Sequence, residues 1–157
     1  MVVTSGGPGG PRRLCDSAAR FETYARGETG PTWVNFTGGD SLYSVAVTGA
    51  AVYVGGHQRW LDNPGGSDSA GPGAVERPGI GAIHPVTGKA LSWNPTRERG
   101  IGVKAFLAHR GGYWLVVTQS GSAASTMPGS ACSRCRDHFR FLAIRALIAS
   151  RCLDSRT

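Results

Sequence analysis

Apolar and polar positions alternate most regularly between residues 41 and 93. Leu42, Tyr43, Val45 and Val47 form a β-rich run in which the aliphatics Val45 and Val47 alternate with small residues. Gly49 and Ala50 permit a tight reversal, and residues 51–54 (AVYV) form a second run that ends at Gly55-Gly56. Two apolar runs about a small-residue turn predict a β-hairpin. A polar, Gly/Pro-rich segment follows over residues 62–79, and residues 80–83 open a third run. His84-Pro85-Val86-Thr87-Gly88 has turn chemistry, because proline presets φ and glycine supplies a positive φ. Residues 91–93 are the fourth run, stopped by Asn94-Pro95. A single unit of this kind cannot bury either sheet face by itself, so it needs neighbours.

The flanking segments repeat the pattern. Trp33 in PTWVNFTGG and Trp93 in LSWNPTRERG stand sixty residues apart. VTGAAVYV (47–54) aligns with AHRGGYWL (108–115), an offset of sixty-one. A period of about sixty with four strands per unit suits a β-propeller blade with one long loop. The predicted fold class is all-β, a partial β-propeller of about two blades of antiparallel strands. It comprises the last two strands of one blade (19–36), one whole blade (42–93) and the first two strands of a third (103–115). Residues 19–115 are expected to be almost free of helix, with Trp33 and Trp93 in equivalent positions. A closed ring of about four or more such blades needs more than the 157 residues here. The chain therefore reads as a propeller fragment whose end blades leave edges and apolar faces open, which predicts marginal stability and aggregation.

RLCDSAARFET, PTWVNFTGGD, SVAVTGAAVYVGGHQRWL, GAVERPGIGAIHPVTGKALSWNPTRERG and GVKAFLA resemble a large family of secreted bacterial β-propeller proteins. That family has repeats of about sixty residues and is related in pattern to quinoprotein-like propellers. The resemblance covers residues 12–115. It implies an extracellular or cell-surface parent protein, in a family whose members often carry PKD-like or carbohydrate-binding modules and whose biochemical role is mostly undefined. The family usually has Asp where this chain has His84. Ala82-x-His84-x-x-Thr87-Gly88 followed by Trp93 resembles the tryptophan-docking motif of quinoprotein propellers. There the tryptophan packs between blades and the Thr-Gly makes the hairpin turn. Both roles are structural, so the motif implies the fold and says nothing for a bound quinone.

The net charge is +7. Residues 1–112 hold 11 Lys/Arg and 8 Asp/Glu, a net +3, whereas residues 113–157 hold 6 Arg and 2 Asp, a net +4. The basic excess is concentrated in the tail, so no nucleic acid is expected for the propeller part. The start, MVVTSGGPGGPRR, lacks the apolar core of a signal peptide, and no run reaches membrane-span length. Three segments follow: a disordered N-terminal 1–13, a propeller-repeat 14–115, and a basic tail 116–157. Phe139, Leu142, Ala143, Ala146 and Leu147 fall at helical spacing and suggest a short helix over 137–150.

The tail breaks the repeat. After Trp114-Leu115 the pattern requires Gly-Gly and a polar loop, but VVTQSGSAASTMPGSACSRCRDHFRF has no strand alternation. Regrouping the third base of each codon from Leu115 to Arg136 with the next two permits GGHPERVGSFHYARVRLFPLP. That string restores the Gly-Gly-His of Gly55–His57 in its expected place, and Met127 followed by Pro128 forces an alanine that the string contains. The residues from about Val116 onward thus read as out of frame, with a genuine divergent extension as the alternative. On the first reading the tail has no fixed packing on the blades.

Candidate chemistry is sparse. Cys15 is either half of a disulfide whose partner is absent from this chain or a small buried residue. Cys132 and Cys135 form a CxxC with His138 and Cys152 nearby, but a zinc site needs four ligands and the pattern reads better as incidental. His57, His84 and His109 lie near strand ends without a placed acid and nucleophile. Gly55-Gly56 and Gly111-Gly112 lack the Lys-Ser/Thr of a phosphate loop. Asp62, Asn63 and Asp68 offer oxygen ligands for Ca²⁺ without EF-hand spacing, and a solvated turn-rich loop is the simpler reading. No catalytic, cofactor-binding or metal residue is assigned. The expected function is a non-enzymatic structural or interaction module that binds a glycan or protein through its loops, above all 62–79. The competing readings are a quinoprotein-like oxidoreductase and nucleic-acid or anionic-surface binding through the Arg-rich tail.

Overall fold

The computed structural model describes residues 1–4, 13–27, 30–95, 99, 102–108, 114–118, 125–127, 147–149 and 153–154. These residues form β-strands and turns, and no helix occurs among them. The strands are β1 (Val2–Thr4), β2 (Arg13–Leu14), β3 (Ser17–Arg20), β4 (Trp33–Phe36), β5 (Leu42–Val47), β6 (Val52–Gly56) and β7 (Trp60–Leu61). They continue as β8 (Val75–Glu76), β9 (Ile80–Ile83), β10 (Val103–Ala108), β11 (Trp114–Thr118), β12 (Ser125–Met127), β13 (Leu147–Ala149) and β14 (Leu153–Asp154). Three small sheets have the orders β13-β1-β3-β4, β5-β6-β9 and β10-β11-β12, and two pairs, β7-β8 and β14-β2, complete the set. Every pairing is antiparallel except β1 with β13.

The central sheet follows the sequence pattern. The β5–β6 hairpin runs in register from Val47↔Val52 to Leu42↔Gly56, with an irregularity between Leu42 and Ser44. Its turn is held by Thr48, whose amide and hydroxyl both donate to the Ala51 carbonyl, while the hydroxyl accepts from the Ala51 amide. That is the local side-chain turn at which threonine competes well. β9 pairs with β6 from Val52↔Ile83 to Gly55↔Ile80. The main core gathers Met1, Ala18, Trp33, Leu42, Val52, Val54, Leu61 and Ile83. Burying each large aliphatic side chain among them contributes about 1.5–3 kcal/mol. A second cluster joins Ile80 and Val103 to the partly buried Trp93 and Phe106.

The predicted fourth run is only partly realised. Ala90 makes an isolated bridge to Ile83, and the Leu91 amide donates to the Ala82 carbonyl. Beyond that point the Arg77 guanidinium takes the Leu91 carbonyl at 2.6 Å, and Pro95 has no N–H to donate. The terminal segments also depart from expectation. Within the predicted disordered start 1–13, Val2–Thr4 is a strand, and a second, Arg13–Leu14, begins at its last residue. Within the predicted helix 137–150, Leu147–Ala149 is a strand paired with β1, and the rest of that range lies outside the described residues. Strand pairing between β1 and β13 and between β2 and β14 thus gives the described tail residues fixed partners that the out-of-frame reading does not predict.

Consecutive sheets meet through small residues and one indole. Ser44 Oγ donates to the Val103 carbonyl at 2.9 Å, linking β5 to β10. A Cβ added at Gly55 would stand 2.5 Å from Val103 Cβ, so that approach needs a glycine. On the other side, the ring of Trp33 lies over Gly88, and its Nε1 donates to the Pro85 carbonyl at 3.0 Å. Arg20 Nη1 donates to the same carbonyl at 2.7 Å, and Asn35 Nδ2 donates to the Gly88 carbonyl at 2.9 Å. The β3–β4 sheet is therefore fastened to the turn after β9.

A pair of glycines separates the two costs of filling that joint. Gly88 (φ 70°) would place a Cβ 2.6 Å from the Trp33 ring, whereas Gly73 (φ 81°) has nothing within 4 Å. Gly73→Ala should cost about 1–2 kcal/mol from backbone strain alone, and Gly88→Ala a further 1–3 kcal/mol or so from overpacking. Urea unfolding of the two variants checks this, and equal losses would mean that Trp33 is not seated on Gly88.

Candidate functional site

The loop over residues 62–79 leaves β7 and returns through β8 to β9. It is rich in glycine and polar residues, yet it is ordered, because one buried asparagine satisfies its backbone. Asn63 Nδ2 donates to the Thr37 carbonyl at 3.1 Å and to the Ser69 carbonyl at 3.0 Å. Its Oδ1 accepts from the Gly71 amide at 2.8 Å, and its own amide donates to the Phe36 carbonyl. The Asp68 amide donates to the Gly38 carbonyl, and the Gly79 amide to the Gln58 carbonyl. A Cβ at Gly66 would collide with the Asn63 amide group, so the loop wraps closely enough to require glycine there.

Asp62 and Asp68, both offered by the sequence as cation ligands, face different partners. Asp62 (φ 52°) accepts from Asn35 Nδ2 at 2.7 Å and from the Ala90 amide at 3.0 Å, with Lys89 Nζ 4.0 Å away. Asp68 (φ 54°) is exposed and pairs with Arg59 Nη2 at 2.9 Å. No group of three His, Cys, Asp or Glu side chains converges among the described residues. The oxygens of Asp62 serve the joint between sheets, and that of Asp68 serves the edge of the loop.

Sequence reasoning missed the charged group beneath the loop. Asp40 is buried, with a side chain 1% exposed. Its Oδ2 accepts from the amide and Nε of Arg59, and its Oδ1 from Arg59 Nη2 and Arg99 Nη2. A buried carboxylate needs this degree of pairing, since leaving it unpaired would cost several kcal/mol. Donating to the Asp40 carboxylate pushes the Arg59 pKa above its ordinary value, so the guanidinium stays charged. Arg59 also lies over the Trp60 ring, 4.3 Å from its centroid, and Arg99 Nε donates to the His57 carbonyl. The loop edge thus presents a cation backed by an aromatic ring and flanked by the exposed Asp68. The signal available in sequence was Asp40 directly after Gly38-Gly39, which hydropathy does not mark. Gln58, fully buried with neither amide atom hydrogen-bonded among the described residues, was equally invisible.

His84 acts as a turn cap. Its Nδ1 accepts from the Val86 and Thr87 amides, each at 3.2 Å, the acceptor role a short carboxylate would fill. His57 uses its backbone, donating to the Ser41 carbonyl and accepting from Arg99. Cys15 is buried and disulfide-bonded. Its partner is therefore supplied by this chain, which corrects the expectation of an absent one. Cys132, Cys135, His138, Cys152, His109 and Gly111-Gly112 lie outside the described residues.

No family model, curated protein or solved structure matches the chain.

Two measurements probe this construction. Asn63→Ala removes three hydrogen bonds from a buried site and should lose about 2–4 kcal/mol, with faster amide exchange at Gly71 and Asp68 than at the β5–β6 ladder. Asp68→Ala should change stability by less than about 0.5 kcal/mol, because an exposed ion pair contributes little. For the turn, His84→Ala should cost about 0.5–1.5 kcal/mol and His84→Asp should recover it. Thermal melts of the two variants decide the matter, and equal melting points would show that the ring nitrogen does not cap the turn.

Proposed function

We propose that this chain is a non-enzymatic interaction module, part of a β-propeller repeat protein that is exported or displayed on a cell surface, and that it binds a glycan or protein through the 62–79 loop. The observation that carries the reading is the loop itself. It is fixed at its base by Asn63 and Asp62, and its exposed Asp68 pairs with Arg59, which lies over the ring of Trp60 on the adjoining strand β7. An aromatic ring beside paired charges, next to a hydrogen-bonded loop, is suited to recognition, with stacking from the ring and direction from the hydrogen-bonding groups. The propeller part of the reading draws on the sixty-residue repeat and on the seating of Trp33 against the next repeat's turn. The disulfide at Cys15 favours an oxidising compartment, as export would supply. No helix of the described residues is long and apolar enough to cross a membrane.

The test is binding of the full chain to a glycan array and to a panel of purified surface proteins, repeated with Trp60→Ala and Asp68→Ala. Saturable binding weakened about tenfold or more by Trp60→Ala is expected. The absence of any saturable ligand, or binding that survives both substitutions unchanged, would overturn the assignment of the loop.

A further inference from the structure

Strand pairing joins the two ends of the chain, β1 with β13 and β2 with β14. Strand pairs this brief are marginal in water by themselves. Cys15 directly follows β2, is buried and is disulfide-bonded. The other cysteines of the chain are Cys132, Cys135 and Cys152. In the β2–β14 pair, Leu14 stands opposite Leu153 and Arg13 opposite Asp154. The pairing is antiparallel, so one step forward from Leu14 meets one step back from Leu153. That register sets position 15 across from position 152. Residues directly opposite in an antiparallel pair have Cα atoms about 4.5–5.5 Å apart, within the span of about 4.4–6.8 Å that a disulfide bridges. Neither Cys132 nor Cys135 adjoins a residue that the described pairing sets against β2.

We propose that Cys15 is bonded to Cys152 and that this cross-strand disulfide clasps the C-terminal strands onto β1 and β2. Forming it joins the two sulfurs and gives up two protons and two electrons, the electrons passing to a second disulfide by thiol–disulfide exchange. A dithiol reductant reverses the step and returns both thiols. The bond closes most of the chain into one loop, so it removes much of the freedom of the unfolded state and tethers pairings that are weak alone. Attachment of the tail is therefore redox-sensitive, whereas the β5–β6 hairpin lies within the loop and keeps its own ladder. Cys152 is also withdrawn from any zinc set with Cys132, Cys135 and His138.

The test is peptide mapping of the full chain, alkylated without reduction and cleaved with trypsin. Mass spectrometry should find LCDSAAR (14–20) joined to CLDSR (152–156), and reduction should split the pair. Cys15 joined to any other peptide, or recovered alkylated, overturns the assignment. Hydrogen exchange then tests the clasp. Cys152→Ser should speed amide exchange at residues 2–4 by about tenfold or more, leave the β5–β6 ladder unchanged and lower the melting temperature by about 5 °C or more. Reduced wild type should match that variant, and reductant should not alter the variant further. Replacing Cys132 and Cys135 together by serine should leave the linked peptide and the exchange pattern as they are. Unchanged exchange at residues 2–4 in both Cys152→Ser and the reduced chain overturns the clasp even where the linked peptide is found.

Discussion

The carbonyl of Pro85 is the point on which two sheets hang. It accepts from Trp33 Nε1 and Arg20 Nη1, so both of its lone pairs are taken by the sheet that precedes it in the chain. A turn carbonyl normally faces water, and here two donors from β3 and β4 replace that water. The replacement works because glycine at position 88 leaves room for the Trp33 side chain against the turn. Asn35 and Asp62 extend the same joint, Asn35 reaching the Gly88 carbonyl and Asp62 reaching back to Asn35 and on to Ala90. Apolar burial supplies the bulk of the cohesion, while these directional bonds fix how one sheet lies on the next.

Polar satisfaction also explains how a loop of low hydrophobicity holds a shape. Asn63 stands where an apolar residue would give more burial energy but would leave three backbone groups of the loop and its neighbour unpaired. The Asp40 carboxylate follows the same logic with charge, since four donors offset its desolvation and two of them come from one guanidinium. Gln58 is the counterexample, a buried amide with no partner among the described residues.

The central strands were legible because their signals are local. Val45, Val47, Val52 and Val54 alternate, Gly49 and Ala50 mark the reversal, and Gly88 marks the one after β9, so β5, β6 and β9 fall where the pattern places them. The fourth run was over-read because its competitor, the Arg77 guanidinium on Leu91, comes from fourteen residues away. The same distance problem hid the site. Asp40, Arg59 and Arg99 meet only in three dimensions, and the structural use of Asp62 depends on Asn35, which lies 27 residues earlier. Strand pairing of the ends was illegible for a different reason, since Val2–Thr4 and Leu147–Ala149 are brief and their partners lie at opposite ends of the sequence. The all-β class therefore followed from periodicity, while the joints between sheets and the loop's internal bonds required coordinates.

The order in which the joint is made carries a kinetic consequence. Trp33 and its acceptor are 52 residues apart, and Arg20 and the same acceptor 65. Closing a segment of that length costs entropy before any contact rewards it. The β5–β6 hairpin, by contrast, closes locally. During synthesis β3 and β4 leave the ribosome before the turn that receives them exists, so they wait with an indole exposed until residue 88 has emerged. By loop-closure entropy the joint at Pro85 is the costlier contact to form, whereas the hairpins on either side of it close locally.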